Sequence, residues 1–136
     1  MTILVIDGMG GGIGRTIIER IKAELKQPNM VEVIAVGTNS VATTNMIKAG
    51  ADFAATGENA VVYNCGKADY IIGVTGIVFT NSMHGEISPM MAAAVSGSDA
   101  HKILIPIDRC NTTVLGVVSK PIQSYIDEIV RVIDFS

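Results

Sequence analysis

Apolar residues along this chain fall into short continuous runs that alternate with helically spaced ones. Ile3-Leu4-Val5-Ile6 is unbroken, the pattern of a strand covered on both faces. After a glycine-rich turn, Ile13, Ile17, Ile18, Ile21 and Leu25 recur at helical spacing, with Arg15, Glu19, Arg20, Lys22, Glu24 and Lys26 filling the other face. Pro28-Asn29 closes that helix, and residues 31–36 predict a second strand. Gly37-Thr38-Asn39-Ser40 then turns the chain, with Asn39 or Ser40 as N-cap of a helix that runs to about Ala49 and stops at Gly50. Residues 51–55 predict a brief strand. Thr56-Gly57-Glu58-Asn59 caps a short helix to about Cys65, and Tyr70 to Val74 is another strand.

The second half is less regular. Residues 75–87 fit either a strand or a helical turn or two. Ser88-Pro89 has the form of an N-cap followed by proline at the first helical position, which predicts a helix to about Val95. Ile103-Leu104-Ile105 is a strand ended by Pro106, and residues 112–118 read as a last strand. Residues 121–133 form an amphipathic helix with Ile122, Ile126, Ile129, Val130 and Ile133 on one face. This alternation predicts an α/β fold: a single three-layer, doubly wound, Rossmann-like domain over residues 1–136, with a mainly parallel sheet.

Composition sharpens the expectation. A chain of 136 residues is one domain by size and too short for a nucleotide-binding half plus a substrate domain. Any second half is expected from another copy. Charged residues make up 17%, against about 25% in ordinary domains, and apolar residues with glycine counted reach about 57%. Such a chain has little surface to give to water, which predicts a homo-oligomer. The net charge of −3, without a basic run, argues against nucleic-acid or acidic-membrane partners. No apolar stretch approaches the roughly 20 residues of a membrane span. The N-terminus lacks a basic start and is interrupted at Asp7, so no signal peptide is expected. Cys65 and Cys110 stand apart, with no CxxC, which fits a reduced cytoplasmic setting. His84 and His101 have no metal-ligand spacing to either cysteine.

Candidate chemistry begins at Asp7-Gly8-Met9-Gly10-Gly11-Gly12-Ile13-Gly14, between strand one and helix one. Gly8, Gly12 and Gly14 match a Gly-x-x-x-Gly-x-Gly spacing; Gly-x-Gly-x-x-Gly from Gly8 fails at Ile13. Glycines let backbone approach a ligand closely, and the following helix N-terminus offers free N–H groups to a phosphate. A tight turn packing on the sheet also needs glycine. An NAD-type ribose wants an acid near the end of strand two, where Gly37-Thr38-Asn39-Ser40 stands, and no arginine there suits NADP. The cofactor therefore stays open, with a nucleotide such as NAD(P) or FMN among the choices. Tyr63 and Lys67 have a Tyr-x-x-x-Lys spacing, but they fall at the wrong edge of the sheet for a ligand.

Ligands of such sheets bind outside the carboxyl ends of the strands. The strand-to-helix connections gather Asp7, Thr38, Asn39, Thr56, Glu58, Asn59, Thr75, Asn81, Ser82, His84, Glu86, Asp108, Arg109 and Asn111 on that rim. The candidate ligand-binding set is Asp7, Gly8, Gly10, Gly11, Gly12, Gly14, Thr38, Asn39, Thr56, Glu58, Asn59, Asn81, Arg109 and Asn111. Asp7 either organises the turn or holds a ribose or metal. Asn39, Ser40, Thr56 and Ser88 also read as caps, and Glu58 as an acid favoured at a helix start. Glu86 and His84, two residues apart, are the candidate acid and base, although a surface loop accounts for His84 as well.

Val5 to Gly14, Gly37-Thr38-Asn39, Gly50-Ala51-Asp52, residues 55–60, Asn81-Ser82-Met83, Gly85-Glu86-Ile87 and Ile103 to Pro106 occur in this order. Taken together, they resemble a family of short bacterial proteins, found largely in anaerobes, that is catalogued as a domain of unknown function. The resemblance spans nearly the whole chain and implies a cytoplasmic, stand-alone, Rossmann-like domain; it carries no activity. Tyr63 lies outside that family's pattern. The leading expectation is a domain binding a nucleotide or small phosphorylated ligand at residues 8–14. One alternative is a small oxidoreductase or isomerase acting on a phosphorylated substrate, with Arg109 as a second anion contact. The other is a non-catalytic regulatory or partner-binding subunit.

Overall fold

Strand β1 (Thr2–Asp7) lies at the centre of the sheet, with Ile3, Leu4 and Val5 fully buried. The computed structural model describes residues 1–107 and 110–135. β1 is followed by α1 (Gly12–Glu24), β2 (Glu32–Gly37), α2 (Ser40–Lys48), β3 (Phe53–Thr56) and α3 (Glu58–Cys65). The second half adds β4 (Tyr70–Val74), α4 (Pro89–Ser96), β5 (His101–Ile105) and α5 (Ile122–Val132). The strands are all parallel, in the order β3-β2-β1-β4-β5. Ile3 pairs with Val33 on one side and Tyr70 on the other.

The continuous apolar runs divide by the two-residue period of a strand. Ile3 and Val5 of β1, with Val33 and Ala35 of β2, face Ile17, Ile18 and Ile21 of α1, Met46 of α2 and Ile126 and Ile129 of α5. Leu4, Ile6, Ile34 and Val36 face the opposite layer, where Val61 and Cys65 of α3 meet Met91 and Val95 of α4. Each such buried side chain contributes about 1.5–3 kcal/mol by leaving water. Cys65 belongs to this core; burial pushes its thiol up to about 11, against a smaller opposing pull from the Lys102 charge. At the surface, Arg20 of α1 pairs with Asp127 of α5, and Lys22 with Asp52 at 2.9 Å.

The predicted three-layer α/β architecture is the observed one, and Ser88 caps α4 by accepting from the Met91 N–H at 3.2 Å, with Pro89 as first helical residue. Asn39, rather than Ser40, caps α2. Residues 75–87 contain no strand: a 3₁₀ turn (Thr75–Val78) leads into a series of hydrogen-bonded turns. Residues 112–118 also differ from the expectation of a last strand. Gly116 has φ of 87°, and the Val117 N–H reaches the Val114 carbonyl at 3.4 Å, so the β-branched run folds into a turn beside β5. Leu115 is left 92% exposed.

Ile18 of α1 is fully buried, whereas Ile47 of α2 is 52% exposed. Ile18→Ala is expected to cost about 2–5 kcal/mol in urea unfolding and Ile47→Ala less than about 0.5 kcal/mol.

Candidate functional site

Because every strand is parallel, each strand-to-helix connection leaves from the same carboxyl edge. The chain winds outward from β1 through β2 to β3, then crosses to β4 and β5. The connections after β1 and β4 lead to helices on opposite faces, the switch point at which ligands of such sheets usually bind. Here Met83 and Glu86 of the β4 connection pack directly against the turn after β1.

Asp7 ends β1 and is buried. One carboxylate oxygen accepts the Gly8 N–H at 2.8 Å and the other accepts the Gly14 N–H at 2.6 Å, closing the turn onto the start of α1. A negative charge is favourable at that helix end. The glycines of this turn serve different purposes. Gly11 has φ of 72°, and a Cβ there would sit 2.6 Å from the Ala42 backbone. A Cβ on Gly8 would meet the Met83 sulfur, and one on Gly14 the Met46 sulfur, each at 2.6 Å. At Gly10 and Gly12 a Cβ would meet nothing within 4 Å, and neither has a left-handed φ.

Glu86, from the connection after β4, reaches across to this turn. Its Oε1 accepts the Met9 N–H at 2.9 Å, the Asn39 side-chain N–H at 2.9 Å and the Thr38 hydroxyl. Burial pushes the Glu86 carboxyl up, but the Thr38, Met9 and Asn39 donors, with a smaller contribution from His84, outweigh it and hold the group below the ordinary glutamate range. Asn39 also donates to the Met9 carbonyl at 2.9 Å, while its Oδ1 accepts the Ala42 N–H at 2.9 Å. Among the described residues, the non-glycine positions with positive φ are Met9, Asn81, Met83, His84, Cys110 and Asn111. All six lie in connections at the carboxyl edge. Such backbone costs about 1–3 kcal/mol where it is strained and persists where surroundings impose it, commonly at functional sites.

A family described as Domain of unknown function (DUF3842) matches residues 2–135. The chain belongs to the DUF3842 family. No curated protein and no solved structure matched it.

In this DUF3842 domain the rim residues do not all converge. Asp7, the glycine turn, Thr38, Asn39 and Glu86 form one cluster. Thr56 instead bonds the Thr43 hydroxyl of α2 at 2.7 Å. Glu58 accepts the Ser88 hydroxyl, tying α3 to α4. Asn59 lines a groove of about 580 Å³ along β3 with Phe53, Tyr63 and Lys67. A second cleft of about 480 Å³ lies between Leu104, Tyr125, Val114 and residues 116–118. Neither takes in the glycine turn; both are troughs beside the outermost strands.

Asn81 shapes its own loop, its N–H reaching the Ile87 carbonyl at 2.7 Å, and His84 is exposed. Asn111 is exposed in the connection after β5; Asp108 and Arg109 lie outside the described residues. The Lys67 ammonium rests 5.0 Å from the centre of the Tyr63 ring, where α3 leads into β4. The sequence reading missed Asn45, whose side chain donates to the Gly10 carbonyl at 2.6 Å. Its only signal was a polar residue inside α2, six positions beyond the cap.

A carboxyl whose folded value is lowered stabilises the fold above its unfolded value, and loses that contribution as pH falls through the folded value. Thermal melts from about pH 7 to about pH 3 are therefore expected to show a smaller acid-induced decline for Glu86→Gln than for the unmodified protein, which retains the titrating group.

Proposed function

We propose that this domain binds a nucleotide or other small phosphorylated ligand at the carboxyl edge, across the turn of residues 8–14. The observation that carries the reading is the pair Gly10 and Gly12. Packing explains Gly8, Gly11 and Gly14; nothing in the fold requires glycine at 10 or 12, where a side chain would stand in open space. Gly10 precedes α1 and Gly12 is its first residue; the first N–H groups of the helix have no acceptor inside it and favour an anion. Bare backbone at this place gives a phosphate close access. The switch point between the β1 and β4 connections is where sheets of this kind usually take the rest of a nucleotide.

Binding is favoured over proton transfer by the state of Glu86. Three donors on one oxygen and a lowered proton affinity make it an acceptor rather than a base tuned toward neutral pH. A thermal-shift screen of NAD, NADP, FMN, ATP, coenzyme A and sugar phosphates is expected to yield at least one stabilising ligand. Gly10→Ala and Gly12→Ala should leave the unliganded protein within about 1 kcal/mol of its stability, on the stable side, while suppressing that shift. Gly11→Ala should destabilise it without ligand. A folded protein that responds to none of these compounds overturns the proposal.

Self-association is part of the same reading. Phe53 and Tyr63 beside β3, and Leu115 and Val118 beside β5, are more than 60% exposed, a pattern of apolar surface that a second copy would cover. Light scattering is expected to give at least twice the 14.3 kDa chain mass; a monodisperse monomer removes this element.

A further inference from the structure

We propose that Glu86 accepts the hydroxyls of a ribose, so that the ligand is a nucleotide with a free 2′-hydroxyl. This rests on the reading of the carboxyl edge as a nucleotide site. Sheets wound in this order commonly hold a ribose with an acid at the end of the second strand. The sequence has Gly37-Thr38-Asn39-Ser40 at that place, with no acid. The fold supplies one from elsewhere: Glu86 lies 48 residues from Thr38 and 47 from Asn39 and is hydrogen-bonded to both.

The manner of anchoring matters. Thr38, Asn39 and Met9 all donate to Oε1. Among the described residues no donor engages Oε2. No buried side-chain oxygen lacks a partner among the described residues, so Oε2 is not sealed from solvent. One oxygen fixes the group in place and the other keeps its acceptor capacity for a hydroxyl donor. A carboxylate is acceptor-only, and therefore suits hydroxyl donors. Asp7, the other acid of the turn, has each oxygen directed to a backbone N–H of its own loop. A 2′-phosphate at the same position would meet the Glu86 charge, and no described lysine or arginine forms an ion pair there to offset the repulsion.

Calorimetric titration with AMP, 2′-deoxy-AMP and adenosine 2′,5′-bisphosphate tests this. AMP is expected to bind at least about tenfold more tightly than the other two, the loss typical for a hydrogen bond to a charged acceptor. Glu86→Gln retains an acceptor for Thr38, Asn39 and Met9 but removes the charge. It should narrow the gap between AMP and the bisphosphate. Equal affinities of the unmodified protein for the three compounds, or a preference unchanged in Glu86→Gln, overturn the ribose assignment while leaving nucleotide binding intact. Absence of binding by all three, and by the wider set of phosphorylated ligands, overturns both. The comparison among ligands needs no variant and decides the matter even if Glu86→Gln fails to fold.

Discussion

A strand with no solvent-facing side has to be paired along both edges and covered on both faces, and β1 meets all four conditions. Ile3 to Ile6 are at most 1% exposed, β2 and β4 flank the strand, and helices lie above and below. Parallel pairing on both edges leaves only crossover connections, and crossovers return every turn to one end of the sheet. The concentration of polar groups at that end is thus a consequence of burying β1. A charge-poor chain can place few hydrogen-bonding groups anywhere else, because its strands are core and its helices are half core.

Local pattern carried the architecture well because the relevant forces are local. A two-residue period against a helical one separates strands from helices, and Ser88-Pro89 marks a helix start without reference to anything distant. Residues 112–118 show where this stops. Their β-branched side chains favour extended backbone, but a strand also needs a neighbouring edge in register, and Gly116 turns the run back before it forms one. The candidate site divides in the same way. Five glycines in seven residues were visible at once, yet composition cannot say which are bare for packing and which are bare toward open space. Glu86 was visible as an acid, but its attachment to Thr38 and Asn39 depends on a fold that brings together residues nearly fifty positions apart.

The electrostatics of the turn follow from that long-range contact. Backbone N–H groups in a glycine turn at a helix start usually wait for an external anion. Here two are already taken by protein carboxylates, Gly14 by Asp7 and Met9 by Glu86. The N–H groups of the turn that these carboxyls leave unengaged include those of Gly12 and Ile13, and the Asp7 and Glu86 carboxyl groups lie beside them. The charge around the turn is therefore uneven, with backbone N–H groups at the start of α1 and carboxyl oxygens on either side of it.

The two cysteines give this protein an addressable chemistry. Only the thiolate reacts with alkylating reagents. Cys65 is sealed in the core with its thiol at about 11, while Cys110 is exposed in the connection after β5. A maleimide dye or spin label would thus attach to a single sulfur in the native state, and that sulfur stands in the connection that leaves the carboxyl end of β5. Unfolding would expose the second sulfur, so the number of labels taken up reports the folded fraction, while the spectrum of the first reports on the rim.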